Sequence, residues 1–387
     1  MDFALTQSQI DLVARVREYL EAHITPELSA ECADSPEGGG PEWKAYIRQL
    51  GADGMLGVGW PTEYGGMGYG HVEQYLFYEE ICRTGIPIPV VAVQTVAPAI
   101  MANGTEAQKA EYLPGILKGD IDVAIGYTEP DAGSDLAALR TRAERDGDEW
   151  IINGQKVFTS GAHMADYIWL AARTDTDAPK HKGISVFIVD ARSPGITIDA
   201  QHVMGGFRTN TTFYDNVRVP ADALVGELNE GWSYITTQLN YERLALATAS
   251  PVERALEATV KWANENRRNG KWVSEEPWVR DALGNIAVEL DVLKLLNLRT
   301  ASMVAAGNVP YHDASLNKIF GTELHQRAFG TCLQVMGRTG GLVGGDTVPD
   351  GGLLSRWFMQ DVLLTFGGGA NEVHRNIVAM VGLGMPR

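Results

Sequence analysis

The hydrophobic period of this chain changes twice, and that constrains its fold more than any other feature. Residues 1–120 carry apolar positions at helical spacing. Leu12, Val13, Val16 and Leu20 form a stripe behind Thr6-Gln7-Ser8-Gln9, which has the form of a capping box. Helices are also expected over Trp43–Leu50, over Val72–Thr84 and from Thr105 onward, with a Gly/Pro-rich loop between Asp34 and Pro41. From Ile121 to about Val225 the period shortens towards two. Tyr167–Ala172, Ile184–Val189 and Thr211–Tyr214 read as strands, and Trp150–Gly154 as a strand entering a hairpin turn at Asn153-Gly154. From Gly231 the helical period returns: Trp232–Thr248, Val252–Asn269, Trp278–Ala306, Ala314–Met336 and Asn371–Val381 are the expected helices. The reading is an α+β chain with a helical domain over 1–120, a small β-barrel or sandwich over 121–226, and an antiparallel helix bundle over 227–387.

At 387 residues the chain exceeds one hydrophobic core, which agrees with two or three domains. Its formal net charge of -17 disfavours nucleic acid, because a polyanion needs a basic footprint. A local pocket can still oppose that field for a small anion. Cys32, Cys82 and Cys332 are too dispersed for a metal site or a disulfide framework, so no metal is expected and a reducing cytoplasm fits. No signal-peptide pattern opens the sequence. No stretch reaches the roughly 18 uninterrupted apolar residues of a spanning helix, so no membrane association is expected.

Two segments concentrate the chemistry. Tyr127-Thr128-Glu129-Pro130-Asp131-Ala132-Gly133-Ser134-Asp135 follows the strand-like run from Asp122, and Asn153-Gly154-Gln155-Lys156-Val157-Phe158-Thr159-Ser160-Gly161-Ala162 follows the next. Each sets hydroxyls, glycines and an aromatic ring on a short loop leaving a strand. A flat, polar, redox-active ring needs such a setting: donors at its edge, an aryl face, and amides free for phosphate. A third run, Gly367-Gly368-Gly369, precedes the last helix with Asn371 as its expected N-cap, where free amides suit phosphate or ribose. The Gly-x-Gly-x-x-Gly pattern of a dinucleotide crossover is absent.

These segments resemble the flavin-binding strands of the acyl-CoA dehydrogenase family. Trp60-Pro61-Thr62-Glu63-Tyr64-Gly65-Gly66-Met67-Gly68 resembles its N-terminal signature, and Thr365–Asn376 its closing helix. Within the family, Gly57–Pro61 and Ala124–Pro130 are most similar to the actinobacterial enzymes that shorten sterol side chains. The resemblance implies FAD as cofactor. Tyr127 and Thr128 would lie beside the isoalloxazine, with Gly133 and Ser134 near the pyrophosphate and the mouth of the acyl-CoA site. Phe158, Thr159 and Ser160 would lie against the ring, Phe158 and Ser160 standing where relatives usually carry Trp and Thr. Ala370, Asn371 and Glu372 would approach the nucleotide.

The resemblance also implies that a neighbouring subunit supplies an Arg-x-x-Phe-Gly pattern and a Gln-x-x-Gly-Gly loop to the adenine half. Here the first aligns with Asn266-Arg267-Arg268-Asn269-Gly270 and the second with Gln334-Val335-Met336-Gly337-Arg338. Gln334 and Gly337 are kept, while Asn266, Asn269 and Arg338 depart from the pattern. Arg267 and Arg268 are either substitutes for the missing Arg or solvated charges at a helix end. A chain that keeps its own half of the site and loses the half lent to a neighbour suits an α2β2 assembly with a homologous subunit; a homotetramer is the alternative.

Dehydrogenation of an acyl-CoA to a trans-2-enoyl-CoA needs a base for the α-proton, and a desolvated carboxylate suits that role. The base position before the final helix reads Gly368. The family's second location, on the first helix of the C-terminal domain, matches Glu242 in Asn240-Tyr241-Glu242-Arg243-Leu244. The resemblance thus implies Glu242 as base, Tyr241 and Arg243 beside the substrate, and a Gly368 backbone N–H on the thioester carbonyl. It further implies an electron-transfer flavoprotein as acceptor and, since Gly368 has no side chain, room for a bulky acyl group. Two other readings stay open at this point: a non-catalytic partner whose sister holds the base, and an oxidase on the same scaffold.

Overall fold

The computed structural model describes residues 3–245, 247–308, 311–343 and 349–386; the side chains of 240–245 lie outside that description. Six helices come first: α1 (Gln7–His23), α2 (Pro26–Asp34), α3 (Pro41–Ala52), α4 (His71–Thr84), α5 (Ala97–Asn103) and α6 (Glu106–Leu117). The Thr6/Gln9 box caps α1, whose Leu12, Val16 and Leu20 are buried. A second box, Thr105/Gln108, starts α6. The buried Gln108 amide then donates to the carbonyls of Asp222 (2.7 Å) and Leu224 (2.9 Å), tying the helices to the sheet. Two elements escaped the periodicity. The first is α2, begun by Thr25-Pro26. The other is a π-helical turn at Val91–Val96 running into α5, in a segment too uniformly apolar to show a stripe.

The middle of the chain forms β1 (Val123–Gly126), β2 (Arg142–Asp146), β3 (Glu149–Lys156), β4 (Tyr167–Arg173), β5 (Ile184–Asp190), β6 (Ile196–His202), β7 (Arg208–Pro220) and β8 (Leu224–Val225). They make one eight-stranded sheet in the order β6-β7-β3-β2-β4-β5-β8, with β1 parallel to β4. The Asn153-Gly154 hairpin is corrected. Those residues lie inside β3, where the pairing with β7 shifts register between Ile152 and Gly154, and the tight turn falls earlier, between Asp146 and Glu149. A Cβ on Gly154 would sit 2.7 Å from Thr141 Cα, so the glycine marks a bulge and a close backbone approach.

The last third holds α7 (Gly231–Ala245), α8 (Ser250–Glu265), a two-stranded ribbon β9 (Arg267–Arg268) and β10 (Lys271–Trp272), then α9 (Pro277–Ala305), α10 (Tyr311–Met336), α11 (Leu353–Gln360) and α12 (Asn371–Ile377). α10 packs against α7, α8, α9, α11 and α12 and is the axis of the bundle. The helix expected over 252–269 stops at Glu265 because Asn266 turns extended and Asn269 and Gly270 take positive φ. The final helix also differs from expectation. Ala370 is its N-cap, Asn371 is its first residue with the side chain turned into the bundle, and its end is a π turn at Val378–Gly382. One apolar core runs from the N-terminal helices through Val123, Trp169 and Val186 to Ile235 of α7, so sheet and helices share an interior.

Candidate active site

The two motif loops lie side by side. Val157 N–H donates to the Thr128 carbonyl (2.8 Å), and the Lys156 ammonium reaches the Tyr127 carbonyl (2.9 Å) and the Glu129 carboxylate (2.8 Å). Glu129 also accepts the backbone N–H groups of Arg140 (2.6 Å) and Thr141 (2.8 Å). Burial alone would push this carboxyl up, but Lys156 and the amides hold it below its ordinary value.

That anchoring fixes the tip of the second loop. Asn210 is fully buried and brackets Thr159, accepting its N–H at the backbone carbonyl (2.9 Å) and donating its side-chain amide to the Thr159 carbonyl (3.0 Å). The Thr159 side chain is therefore turned inward against Thr212, so of the three loop residues it alone presents no side chain outward. Phe158 is thrown out, 61% exposed, at φ 57. An aromatic residue held in the left-handed region and bared to solvent is strained and unburied at once, a combination that clusters where a ligand supplies the missing contact. Ser160 is exposed beside it with its hydroxyl 3.1 Å from Thr209. On the first loop Gly133 and Ser134 are exposed, and a Cβ on Gly133 would meet nothing within 4 Å. An exposed aryl face, a neighbouring hydroxyl and an open glycine loop fit a flat ring with a phosphate tail.

Tyr127 points the other way. It is buried, and its hydroxyl donates to Gln238 Oε1 on α7 and accepts the Trp169 indole N–H (2.9 Å); the same indole reaches Gln238 Oε1 at 3.1 Å. Behind Gln238 opens a cavity of about 300 Å³ between α4, the π turn, α5 and α7, lined by Trp60, Gln74, Tyr75, Gln94, Tyr234 and Gln238 among others. Sequence reasoning missed this wall. Its one visible signal is Gln94 and Thr95 interrupting the apolar run from Val90 to Ala99.

Position 242 falls one helical turn after Gln238, so the backbone of α7 carries both on one face. The side chains of Glu242, Tyr241 and Arg243 lie outside the described residues. In the glycine run, Gly368 has φ 64 and Gly369 φ 101. The Gly368 carbonyl accepts from His374 Nε2 (3.1 Å) and the Gly369 carbonyl from the buried Lys318 ammonium (2.6 Å), which also reaches Asn371 Oδ1 (2.8 Å). Since N–H and C=O are antiparallel across a trans peptide, the amides of Gly369 and Ala370 face away from these partners. Glu372 is exposed and Ala370 partly so, while Asn371 is buried among Lys318, Thr322 and Glu323.

Gln334 and Gly337 lie exposed at the end of α10. Arg268 Nη2 donates to the Val335 carbonyl between them (2.6 Å) and Nη1 reaches Glu276 (3.4 Å). Arg267 stacks 4.0 Å over Trp272 within the ribbon. Neither is a helix-end charge, because the ribbon has replaced the helix end. Among the described residues no cluster of His, Cys, Asp or Glu could hold a metal, and no helix is long and apolar enough to cross a membrane.

Helical, β and helical parts meeting at a cleft with paired loops define a known class of enzyme. The chain matches the family models for the acyl-CoA dehydrogenase N-terminal domain over residues 6–120, middle domain over 124–217 and C-terminal domain over 229–383. It is 45% identical to the acyl-CoA dehydrogenase FadE29 of Mycobacterium tuberculosis, covering 99% of this chain and 98% of that one, and 41% identical to FadE26 of the same organism, covering 100% and 99%. Among solved structures it is similar to the Tcur3481–Tcur3483 steroid acyl-CoA dehydrogenase (44% identity, TM-score 0.94) and to the ChsE4–ChsE5 complex from M. tuberculosis (40%, TM-score 0.93), each matched over all of both chains. The chain belongs to the acyl-CoA dehydrogenase family and is an enzyme of that family.

Proposed function

We propose that this protein carries out FAD-dependent α,β-dehydrogenation of a bulky acyl-CoA, with a sterol side chain as the favoured acyl class, as one subunit of a hetero-oligomer. The observation that carries the reading is Phe158, bared and strained on a loop hydrogen-bonded to the Thr128 loop, with a cavity behind the neighbouring Tyr127. FAD, when bound, supplies the hydride acceptor. Phe158 offers the aryl face, Ser160 and Thr128 hydroxyls at the ring edge, and the Gly133-Ser134 loop the close approach for phosphate. Glu242 takes the α-proton. Backbone N–H groups of the 368–370 turn receive the thioester oxygen and acidify the α-carbon. Gln334, Gly337 and the exposed Glu372 edge the nucleotide half.

A homologous second subunit is supported by Asn266 and Asn269 at positions where self-pairing relatives carry Arg and Phe, and by the two-component names of the similar structures. Electrons leave to an electron-transfer flavoprotein. Glu242→Gln tests the core of the proposal. The purified variant should retain FAD with an unchanged visible spectrum, yet bleaching on addition of acyl-CoA should fall by 10²-fold or more, in line with loss of a general base. Undiminished bleaching would remove Glu242 from the mechanism.

A further inference from the structure

The turn that carries the proposed thioester donors is made of the residue least able to hold a shape. Gly367, Gly368 and Gly369 follow one another, with Gly368 at φ 64 and Gly369 at φ 101. Glycine samples both halves of backbone space, so three in a row fix no amide direction by themselves. Donors that stabilise a developing oxyanion act only when they are aimed before the reaction begins. The rigidity of this turn therefore has to come from outside it.

Two buried side chains supply it, one on each of two consecutive carbonyls. Lys318 Nζ on α10 donates to the Gly369 carbonyl (2.6 Å) and to Asn371 Oδ1 (2.8 Å). His374 Nε2 on α12 meets the Gly368 carbonyl (3.1 Å), which can only accept, so the proton sits on that nitrogen. A Cβ on Gly369 would stand 3.0 Å from the same Nε2, so the imidazole approaches a turn that has no side chain there. Asn371 in turn fixes the ammonium. Its Nδ2 donates to Thr322 Oγ1 and Glu323 Oε1 (both 3.1 Å), which leaves Oδ1 for Lys318.

Burying an ammonium is costly, and here it is buried against the turn. A charge-assisted hydrogen bond is stronger than a neutral one and polarises the peptide it enters. Pulling on the Gly369 oxygen makes the N–H at the other end of that peptide, on Ala370, a better donor. His374 acts likewise on the Gly369 N–H. Both amides face away from their clamps. They are among those assigned above to the thioester oxygen. Gly368 carries no carboxylate, so this turn acts on the thioester through its backbone. We propose that Lys318, assisted by His374, is a positioning residue for the dehydrogenation: its ammonium locks the glycine turn and, through the Gly369–Ala370 peptide, strengthens the donors that polarise the thioester carbonyl. This rests on the acyl-CoA reading above and adds to it the groups behind the backbone donors. Lys318 is 0% exposed and reaches the thioester only through the turn.

The test uses the FAD-loaded protein, with any subunit that co-purifies, and the product-type thioester trans-3-cyclohexylpropenoyl-CoA. Isotopic labelling of its carbonyl carbon picks out the thioester C=O stretch in infrared difference spectra, and polarisation lowers that stretch. Flavin bleaching by 3-cyclohexylpropanoyl-CoA is followed in parallel. In the parent the bound carbonyl should absorb below its frequency in water. Lys318→Met keeps the stem and removes the ammonium. It should return the stretch towards the free value and slow bleaching by roughly tenfold to a hundredfold, while the Kd of the enoyl thioester changes far less. Lys318→Gln, which keeps a donor without the charge, should fall between the two. If the methionine variant does not retain FAD, Lys318→Gln and His374→Met carry the comparison. A lowered stretch that survives in the variants, whatever happens to affinity, overturns the inference and leaves the dehydrogenation reading intact. A lowered stretch lost in the variants, in a parent that fails to bleach, leaves the inference standing and removes the reaction. No lowering in the parent removes both the inference and the thioester's place on the turn.

Discussion

Lys156 Nζ lies 2.8 Å from Glu129 Oε1, the Lys156 side chain fully buried and that of Glu129 8% exposed, and this pair fastens one motif loop to the other. The ammonium also holds the Tyr127 carbonyl, and the carboxylate holds two backbone amides after the first loop. The ammonium thus has two acceptors and each carboxylate oxygen accepts a backbone N–H, the kind of added hydrogen bonding under which a buried ion pair is tolerated.

Lys156→Met should therefore strand a buried carboxylate. A loss of about 3–5 kcal/mol in urea unfolding is expected, together with weakened FAD retention because the Phe158 loop loses its anchor. Glu129→Gln in the same chain should recover part of the stability. A single variant as stable as the parent would show that the pair contributes nothing to the fold.

Phe158→Gly separates stability from binding. Glycine relieves the left-handed strain at φ 57, and little apolar burial is lost from a side chain 61% exposed. The flavin-free protein should be unchanged or stabilised by up to about 1 kcal/mol, while FAD affinity, read by fluorescence titration, falls. Unchanged FAD affinity would sever Phe158 from the cofactor.

His325 supplies a pH dependence. Its Nδ1 meets Asp361 (2.7 Å) and its Nε2 the Thr248 carbonyl (2.6 Å), so both ring nitrogens face acceptors. Burial opposes the charge, but Asp361 and the carbonyl outweigh it and raise the pKa above 6.5. The folded state thus holds this proton more tightly than the unfolded chain. The stabilisation is fully present below pH 6.5 and is lost as pH rises through the folded-state value. Asp361→Asn should flatten that stretch of the melting-temperature profile. A variant that keeps the full slope would assign it to other groups.

Gly368→Ala should cost about 1 kcal/mol or more in thermal unfolding, because the residue sits at φ 64 and a Cβ is disfavoured there. An alanine variant as stable as the parent would show that the turn relaxes.

Much of this architecture is legible from the residues. The capping boxes at Thr6 and Thr105 start α1 and α6 where the sequence places them, and the alternation around Tyr167 and Ile184 marks real strands. The departures share a cause: at each, a tertiary partner overrides the local preference of the residues. Asn153-Gly154 has the composition of a turn, but a bulge against β7 and the nearness of Thr141 put it inside a strand. Asn371 has the composition of a cap, but Lys318 and Glu323 claim its side chain. Asn269 and Gly270 take positive φ in the turn of the ribbon, so α8 ends at Glu265, short of the helix that apolar spacing predicts to Asn269. The candidate site divides similarly. Loop motifs announce themselves by composition, whereas Gln74, Gln94 and Gln238 come from three separate helical stretches and share nothing in sequence beyond their side chain.

The π turn at Val91–Val96 gives one wall of the cavity a property the others lack. It holds one residue more than an α-helical path through the same hydrogen bonds would need. Loss of a single codon in this stretch would let the wide turn close to α-helical geometry while α5 keeps its place, so the change is confined to the turn that carries Gln94 and Thr95. The wall of the proposed acyl site can thus change by a small deletion that leaves α5 and the two motif loops in place.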